Sequence, residues 1–416
     1  MAEDTPDDTD ADLASSPDPL VDGPLTGVRV LELGSFIAGP FAGQLLGDYG
    51  AEVIKIEPPG VGDPMRAWGQ TRDGDSLWWP AIARNKRSVT VDLRREEGRA
   101  LVREIAASCD LVIENFRPGR LDEWGLGHAD LAARNPRLVT VHISGFGQDG
   151  PRATAAGFGS IGEAVGGIRH TTGSPDRAPA RAGVSLGDAL AAVFGVIGGL
   201  AAYTAAQRTG RGQEVDVAIY EAVFALMEST LADYELAGVI RGRSGSVLPG
   251  VAPSNVYPTA DGSEILIAAN ADTVYGRLCT AMDQPELATD ERYATHSARG
   301  EHMEELDERI SEWTRSLTAD KALDILDEHG VPAGRIFTAP DMLADPHFEA
   351  RKMVLRRRSH QGWDVPMNGI VPKFTATPGS VRATGPALGQ DTRDILTNLA
   401  GVSEAELDRL HDAGLI

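Results

Sequence analysis

The stretch LELGSFIAGPFAGQLLGDYGAEVIKIE, residues 31–57, has the pattern of a strand, a glycine-containing turn, a helix and a second strand that ends in an acid. This order is close to that of a dinucleotide-binding βαβ unit. The turn GSFIAGP (34–40) lacks the G-x-G-x-x-G pattern of such units, which argues against NAD. Pro40 suits a helix start whose N–H groups could bind a phosphate, and a purely structural turn is the alternative. Glu57 is either a ribose-binding acid or a surface acid.

The composition is that of a soluble globular protein with an acidic surface. The 416 residues are 42% hydrophobic and carry a formal net charge of −22, which argues against nucleic acid as a partner. Residues 1–24 contain eight acids and no Lys or Arg, so we predict a disordered acidic tail there. Cys109 and Cys279 are far apart and predict neither a disulfide framework nor a metal site. The acidic N-terminus lacks a signal peptide pattern, and we expect a cytoplasmic protein.

One uncharged segment, ALAAVFGVIGGLAAYTAA (189–206), reaches the length of a membrane span. Ala and Gly dominate it, and strand-like sequence follows. We therefore predict a buried core helix and no membrane association.

Strand-like and helix-like segments alternate through the first 220 residues, which predicts a parallel sheet with helices on its faces. The predicted fold class is α/β, with a large Rossmann-like parallel-sheet domain and a smaller α/β domain joined by long linkers. A segment rich in Gly, Pro and Ser after about residue 228 supports a boundary there. The predicted boundaries are a large domain at 25–228, a linker at 229–262, a small domain at 263–350, and a linker with a C-terminal return to the large domain at 351–416.

Basic residues concentrate around one predicted strand of this acidic chain. They could bind the phosphates of a nucleotide-type ligand or neutralise neighbouring acids, and the sequence leaves both readings open. Arg117 and Arg120 follow the next predicted strand, and parallel sheets bind ligands at the carboxyl ends of their strands. The basic residues around the first of these two strands are Arg84, Lys86, Arg87, Arg94 and Arg95.

Asp188 opens the uncharged helix in the segment GVSLGDALAAVFG. An Asp at a helix start is usually an N-cap. The helix dipole would also keep an enclosed carboxylate ionised, and such a carboxylate is a competent covalent nucleophile. Spacing alone favours the cap.

The remaining chemistry-bearing residues give weak signals. Trp68, Trp78 and Trp79 lie in loop-like sequence and either wall a pocket or fill the core. His142 and His170 are isolated, and such histidines are more often structural than catalytic. No zinc spacing, Walker loop or Ser-His-Asp order is present, so we expect no metal.

Taken together, several ordered segments resemble those of the class III CoA-transferases, the family of formyl-CoA transferase and the carnitine CoA-transferases. The resemblance covers roughly residues 24–416. The segments include PLTGVRVLELGSFIAGPFAGQLLGDYGAEVIKIEPPGVGDPMR, RNKRSVTVDLRREEG, DLVIENFRPGRLDEWGLG, NPRLVTVHISGFGQDGP, GVSLGDALAAVFGVIGGLAA, TGRGQEVDVAIYEA and GVPAGRIFTAPDMLADPHFEAR.

The resemblance implies that the βαβ unit binds coenzyme A, that acyl-CoA is a substrate and that no cofactor is permanently bound. It implies a homodimer of interlocked chains, and it makes Asp188 the catalytic nucleophile. Trp68 and Trp78 fall where family aromatics shape the acyl pocket. Arg120 is a candidate substitute for a basic residue that Glu123 replaces in this chain. The positions that fall on family CoA contacts are Ile37, Ala38, Val91, Asp92, Leu93, Arg94, Asn115, Phe116 and Arg117.

The implied activity moves CoA from an acyl-CoA donor to a carboxylic acid acceptor through an aspartyl anhydride and an aspartyl-CoA thioester. Residues 156–188 resemble relatives that use C4–C5 dicarboxylic acids with succinyl-CoA as donor. Arg66, Arg169 and Arg181 are candidate ligands of the second carboxylate. The alternative is an acyl-CoA racemase or epimerase of the same fold, but those enzymes carry a His where Phe158 stands, and Phe cannot move a proton. A non-catalytic acyl-CoA binder also stays open.

Overall fold

The computed structural model of the protein describes residues 23–416, so the predicted acidic tail, 1–24, lies almost wholly outside the described residues. The chain divides into two compact units. The first comprises the described residues up to Gly166 together with Ser185–Leu226 and Lys352–Ile416. The second comprises Gly167–Val184 and Met227–Arg351.

The strands of the described residues are mostly short. They are β1 (Arg29–Glu32), β2 (Glu52–Glu57), β3 (Thr71–Arg72), β4 (Asp75–Ser76), β5 (Lys86–Thr90), β6 (Leu111–Glu114), β7 (Val139–Ser144), β8 (Glu214–Ala218), β9 (Ser254–Pro258), β10 (Glu264–Ala268), β11 (Ala333–Arg335), β12 (Val354–Arg358) and β13 (Asp364–Asn368).

The helices range from single turns to 24 residues. They are α1 (Ala38–Asp48), α2 (Trp79–Ile82), α3 (Glu96–Ala107), α4 (Arg120–Glu123), α5 (His128–Ala132), α6 (Gly159–Val165), α7 (Ile168–Thr171), α8 (Leu186–Thr209), α9 (Ile219–Phe224), α10 (Thr230–Ala237), α11 (Asp272–Ala281), α12 (His296–Glu301), α13 (Met303–Arg315), α14 (Ala319–Glu328), α15 (Ala339–Ala344), α16 (Pro346–Ala350), α17 (Thr392–Ala400) and α18 (Glu404–Asp412), with short 3-10 helices at Pro64–Ala67 and Pro285–Ala288.

Six strands of the first unit form one parallel sheet in the order β5-β2-β1-β6-β7-β8. Successive residues of a strand point to opposite faces. Val30 accordingly packs in the core beneath α1 and α8, and Leu31 packs in the core beneath α3 and α17. Strands β6 and β7 are buried at every residue, as a sheet covered on both faces requires. The predicted α/β fold class with a large parallel sheet is confirmed.

The uncharged segment forms α8, which extends three residues beyond the predicted range at each end. Its glycines let the helix approach the sheet closely, since a methyl group at Gly199 would lie 3.1 Å from Val141. The prediction of a buried helix holds for this face only, because Phe194 and Ile197 on the opposite face are exposed. By length and composition the helix is apolar enough to cross a membrane, a property that core helices of soluble proteins share.

The second unit has its own antiparallel sheet, in the order β11-β10-β9, and its own hydrophobic core. Thr318 caps α14, because its hydroxyl accepts a hydrogen bond from the Lys321 amide. The boundaries differ from those predicted. Residues 167–184 group with this unit, and the predicted linker 229–262 contains α10 and β9. The linker prediction overlooked β9 because its apolar residues are few, yet it pairs with β10 along five residues.

The C-terminal residues belong to the first unit. They begin with the β12–β13 hairpin, in a stretch predicted as a linker. Helices α17 and α18 then join the core beneath α3, and the penultimate residue, Leu415, is fully buried. Its carbonyl accepts a hydrogen bond from the Asp92 amide at 2.9 Å, which ties the chain end to the residues after β5.

Candidate active site

The loop between β1 and α1 lies on a buried cluster of four charged side chains. Lys55 Nζ is 2.8 Å from Glu32 Oε1 and 2.7 Å from Asp63 Oδ2. Lys86 Nζ is 2.7 Å from Glu32 Oε2. Each of these side chains is at most 1% exposed, so the charges stabilise one another in place of water.

The same cluster holds the backbone of the loop. Lys55 donates to the carbonyl of Gly34 at 2.8 Å, and Lys86 donates to the carbonyl of Pro40 at 2.6 Å. The aspartate of the cluster accepts a hydrogen bond from the Phe36 amide at 3.2 Å. Both ends of the predicted CoA-binding loop are therefore fixed from below.

Electrostatics within the cluster favour its charged form. Burial alone would raise the pKa of Glu32, but the two lysines outweigh it and hold this pKa below its ordinary value. Burial and the neighbouring Lys55 charge lower the pKa of Lys86 to about 8 against the attraction of Glu32. The pKa of Lys55 is raised because its three neighbouring acids outweigh its burial.

Glu57 is 1% exposed, so it is neither the ribose-binding acid nor the surface acid that the sequence suggested. Its carboxylate accepts hydrogen bonds from Arg66 Nη2 at 2.7 Å, Arg66 Nε at 2.8 Å and Ser88 Oγ at 2.6 Å. Arg66 also lies over the Trp79 ring at 3.8 Å. The guanidinium of Arg66 is therefore held by Glu57 and Trp79, which argues against its predicted role as a substrate ligand.

Most basic residues around β5 neutralise acids, which is the second of the two readings that the sequence left open. Arg84 Nη2 lies 2.5 Å from Asp48 in the interior, and Lys86 belongs to the cluster above. Arg87 pairs with Glu52, Asp391 and Asp394.

The predicted CoA-contact residues at 91–94 differ in their exposure to solvent. Val91 and Asp92 are buried, and their amides donate to other backbone carbonyls. Leu93 is half-buried, whereas the Arg94 side chain is 84% exposed and pairs with Asp92 at 2.8 Å. Arg94 is therefore the residue of this segment that offers a charged group to a ligand.

A cavity of about 380 Å³ opens at the end of β5, immediately before this segment. Its lining combines residues from several segments of the first unit with the C-terminal residue. The lining includes Pro59, Gly60, Thr90, Gly389, Thr392 and Ile416.

Asn115 joins the loop after β6 to the loop after β1. Its Oδ1 accepts a hydrogen bond from the Ser35 amide, and its Nδ2 donates to the Ser35 carbonyl, both at 2.8 Å. Glycine is needed beside it, because a methyl group at Gly34 would lie 2.7 Å from Asn115 Oδ1. The structure thus brings together the loops that carry three predicted CoA contacts, Ile37, Ala38 and Asn115.

The next residues of the β6 loop are aromatic and basic. Phe116 packs edge-to-face on Trp124 with ring centroids 5.4 Å apart. Arg120 lies over the same Trp ring and pairs with Glu123 at 2.8 Å. Arg117 is exposed, and its guanidinium has no acid partner among the described residues, so it is well placed to meet a phosphate.

Two of the predicted pocket aromatics form an exposed patch with a third ring. Trp68 and Trp78 lie 6.3 Å apart, and Phe36 packs edge-to-face on Trp68 at 5.4 Å. Their exposed fractions are 46%, 39% and 39%. Trp79, by contrast, is a core residue. Clustered exposed rings are typical of a binding surface.

Asp188 is the third residue of α8, and Ser185 occupies the cap position, so the N-cap interpretation is wrong. Its half-buried carboxylate lies against the first residue of α6, where a methyl group on Gly159 would be 2.7 Å from Cγ. One turn further along α6, the buried Glu163 accepts a hydrogen bond from the Gly187 amide at 3.3 Å. The dipole of a 24-residue helix favours negative charge in its first turn.

Two predicted substrate residues belong to the second unit. Arg181 is exposed, and Arg169 lies in α7. Their role toward a substrate carboxylate stays a prediction. The part of the chain that the structure describes holds no group of His, Cys, Asp and Glu that could bind a metal ion.

Sequence reasoning missed the charged cluster, although one signal was available. Lys55 interrupts the apolar run between Glu52 and Glu57, and a lysine inside a buried strand must find an acid. Glu163 gave no signal, because its sequence neighbours do not reveal that α6 meets the start of α8.

The parallel sheet, with predicted ligand contacts gathered at the carboxyl ends of β1, β5 and β6, is the architecture of an α/β enzyme that binds a nucleotide-type ligand. A family model described as CoA-transferase family III matches residues 25–392. The chain belongs to that family, which confirms the resemblance seen in the sequence. It is an enzyme of the CoA-transferase type, and CoA thioesters are the substrates of this class.

Individual relatives match over nearly their full lengths. The succinyl-CoA–D-citramalate CoA-transferase of Chloroflexus aurantiacus is 58% identical over 388 residues, covering 93% of this chain and 96% of the relative. The alpha subunit of the succinyl-CoA–L-malate CoA-transferase of Chloroflexus aurantiacus is 40% identical, covering 94% and 92%. A crystal structure of a CAIB/BAIF family protein from Brucella suis matches with a TM-score of 0.80 and 38% identity, covering 91% of this chain and 100% of that one.

Replacing the central acid of the buried cluster tests its structural role. Glu32→Gln leaves two buried ammonium groups with one fewer counter-charge, and we expect a loss of about 3–5 kcal/mol in the free energy of unfolding. Glu52→Gln is the matched control, because Glu52 pairs with arginines at the partly exposed start of β2, and it should cost at most about 1 kcal/mol. Chemical denaturation measures the free energy of unfolding of each variant. Equal losses for Glu32→Gln and Glu52→Gln would contradict the structural role of the buried cluster.

Enlarging the residue beneath Asp188 tests whether its position matters for activity. Gly159→Ala must displace the Asp188 carboxylate, so we expect CoA transfer to fall by roughly 10²-fold while the protein stays folded. Gly276→Ala is the control, because no atom lies within 4 Å of the added methyl group. Wild-type turnover in Gly159→Ala, measured beside its circular dichroism spectrum, would show that this contact is irrelevant.

Proposed function

We propose that this enzyme transfers CoA from succinyl-CoA to a C4–C5 dicarboxylic acid, with the Asp188 carboxylate as the covalent carrier. The observation that carries the proposal is the position of this carboxylate. It lies in the first turn of α8, half-buried and in contact with the backbone of α6. Such a site keeps a carboxylate charged while limiting its contact with water.

In the first half of the reaction, an Asp188 oxygen attacks the thioester carbonyl of the donor. The C–S bond breaks, giving a mixed anhydride and CoA thiolate. The thiolate then attacks the Asp188 carbonyl carbon, which forms an aspartyl-CoA thioester and releases the donor acid as its carboxylate.

In the second half, a carboxylate oxygen of the acceptor attacks the aspartyl-CoA thioester and expels CoA thiolate. The thiolate attacks the acceptor carbonyl of the new anhydride, which forms the product acyl-CoA and regenerates the Asp188 carboxylate. Charge and atoms balance without a metal or a redox cofactor. Each addition creates an oxyanion that needs hydrogen-bond donors.

The β1–α1 loop can supply such donors. The amides of Ile37, Ala38 and Gly39 stand at the start of α1, where a helix leaves its N–H groups without intrahelical partners. None of the three donates to another described residue. The buried lysines below keep this loop in one conformation, which is the preorganisation that oxyanion stabilisation requires.

The CoA nucleotide fits the charge distribution along the sheet edge. Arg94 and Arg117 are exposed cations on the loops after β5 and β6, and guanidinium groups bind phosphate oxygens well. The cavity that includes Thr90 lies beside the first of these loops and is large enough for part of an adenosine. The exposed rings of Trp68 and Trp78 would cover the acyl end.

The substrate class rests on the relatives. The names of two of them specify succinyl-CoA with D-citramalate or L-malate, both dicarboxylic acids. A second carboxylate on the acyl group needs a cation, and Arg181 and Arg169 are candidates that the sequence suggested for that role.

Racemisation of an acyl-CoA is the less favoured function. It needs two acid/base groups, one on each face of the α-carbon. Phe158, next to Gly159 at the start of α6, stands where the racemases carry histidine, and its ring cannot exchange a proton.

We further propose that two copies form the homodimer that the family resemblance implies. The exposed apolar face of α8, with Phe194 and Ile197, would then be covered by protein. Light scattering should give about twice the 44.1 kDa mass of one chain, and a single-chain mass at micromolar concentration would contradict the proposal.

The proposed function is tested by transfer assays with succinyl-CoA and isotope-labelled acids. The wild-type enzyme should produce labelled acyl-CoA from citramalate or malate and not from C4–C5 monocarboxylic acids. Asp188→Ala should reduce transfer by roughly 10³-fold or more while CoA still binds, because the proposed mechanism has no other group that can carry the acyl unit and CoA. Mass spectrometry of the acyl-CoA products measures both effects.

Asp130→Ala is the matched control, since Asp130 is also the third residue of a helix, α5, but is exposed. It should retain full activity. Unimpaired transfer by Asp188→Ala would refute the carrier role, and exchange of an α-hydrogen with deuterated water in the absence of an acceptor would favour racemisation.

A further inference from the structure

A buried acid–histidine pair lies directly below the loop after β6. Glu114, the last residue of β6, places Oε1 2.6 Å from His142 Nδ1 on the neighbouring strand β7. Glu114 is 3% exposed and His142 is 6% exposed. The mechanism proposed above assigns no part to either residue.

The second oxygen of Glu114 is bonded to the loop itself. Glu114 Oε2 accepts a hydrogen bond from the Phe116 amide at 2.7 Å, which fixes the turn that carries Asn115. Asn115 in turn holds both backbone groups of Ser35 in the β1–α1 loop. Hydrogen bonds, together with the Asn115–Phe116 backbone, therefore link His142 to both loops of the sheet edge.

Other charged groups around the pair favour a cationic histidine. On β8, Glu214 places its carboxylate 3.2 Å from His142 Nε2, and on α5, His128 bonds to Thr140 of β7. Burial alone would lower the pKa of His142, but Glu114 and Glu214 outweigh it and raise this pKa above 6.5. Burial raises the pKa of Glu114, with His142 opposing and Asp122 of α4 adding to the rise.

We propose that Glu114 and His142 are positioning residues for CoA, which hold the β6 loop and, through Asn115, the β1–α1 loop in their binding conformation. This inference rests on the proposed CoA-transfer function. The histidine acts through the acid, because an imidazolium at 2.6 Å keeps the buried carboxylate ionised and oriented toward the Phe116 amide. Protonation of His142 is thereby coupled to the affinity for CoA thioesters.

The sign of the coupling follows from the raised pKa of His142. The imidazolium predominates below pH 6.5 and is lost as the pH rises through the higher folded-state pKa of His142. The buried carboxylate then lacks its cation, and the loop is held less firmly. The KM for the acyl-CoA donor should therefore rise as the pH increases above the pKa of His142. The kcat should not show this pH dependence, because the coupling acts on binding.

Two variants of Glu114 separate positioning from general damage. Glu114→Ala removes the acceptor of the Phe116 amide and should raise the KM for succinyl-CoA about tenfold, the effect of one charge-assisted hydrogen bond, with kcat changed less than about twofold. Glu114→Gln keeps an acceptor but no charge, so its KM should stay within about threefold of wild type and lose the alkaline rise. His128→Asn is the control and should keep both the KM and its pH profile.

Hydrogen exchange gives a readout that does not require activity. In Glu114→Ala, amides of residues 34–40 and 114–117 should exchange about tenfold faster than in the wild type, and those of α3 should not change. Wild-type exchange in both segments would overturn the inference even if the protein transferred no CoA. A wild-type KM and pH profile in both Glu114 variants, with CoA transfer intact, would overturn the inference and leave the proposed function standing.

Discussion

The structure depends on the contact of two buried lysines with one buried glutamate. Glu32 ends the central strand β1, and Lys55 and Lys86 reach it from β2 and β5, with Asp63 as a second acid. Burying an ion is costly, and only close pairing makes it tolerable. The lysines use their remaining donors on the carbonyls of Gly34 and Pro40. The same charges therefore link three neighbouring strands and hold the β1–α1 loop.

This constraint explains how the loop is fixed in a unit that lacks the dinucleotide fingerprint. In a fingerprint turn, glycine backbone alone shapes the phosphate site. Here, side chains below the sheet edge shape the loop, and Asn115 fastens it to the neighbouring loop through Ser35. The helix starts above the edge contribute in two ways. The start of α1 offers free amides, and the start of α8 carries Asp188.

The sequence predicted elements whose pattern is local. The alternation of apolar strands and helices predicted the parallel sheet, because the signal for each element lies within a few residues. Contacts between distant segments were not predictable. Glu57 was interpreted as a ligand-binding or surface acid because nothing near it shows that Arg66 folds back onto it. Asp188 was first taken for a cap, since its contact with Gly159 joins residues 29 positions apart. Family resemblance supplied its proposed role, which spacing could not.

The most direct test of the account is chemical trapping during turnover. Hydroxylamine attacks acyl anhydrides and thioesters, so adding it to enzyme that is turning over succinyl-CoA should convert a carboxyl group into a hydroxamate. Peptide mass spectrometry should then find the modification on Asp188, only when an acyl-CoA is present. Modification of another acid, or rapid turnover with no modified peptide at all, would contradict the claim that this carboxylate carries the acyl group and CoA in turn.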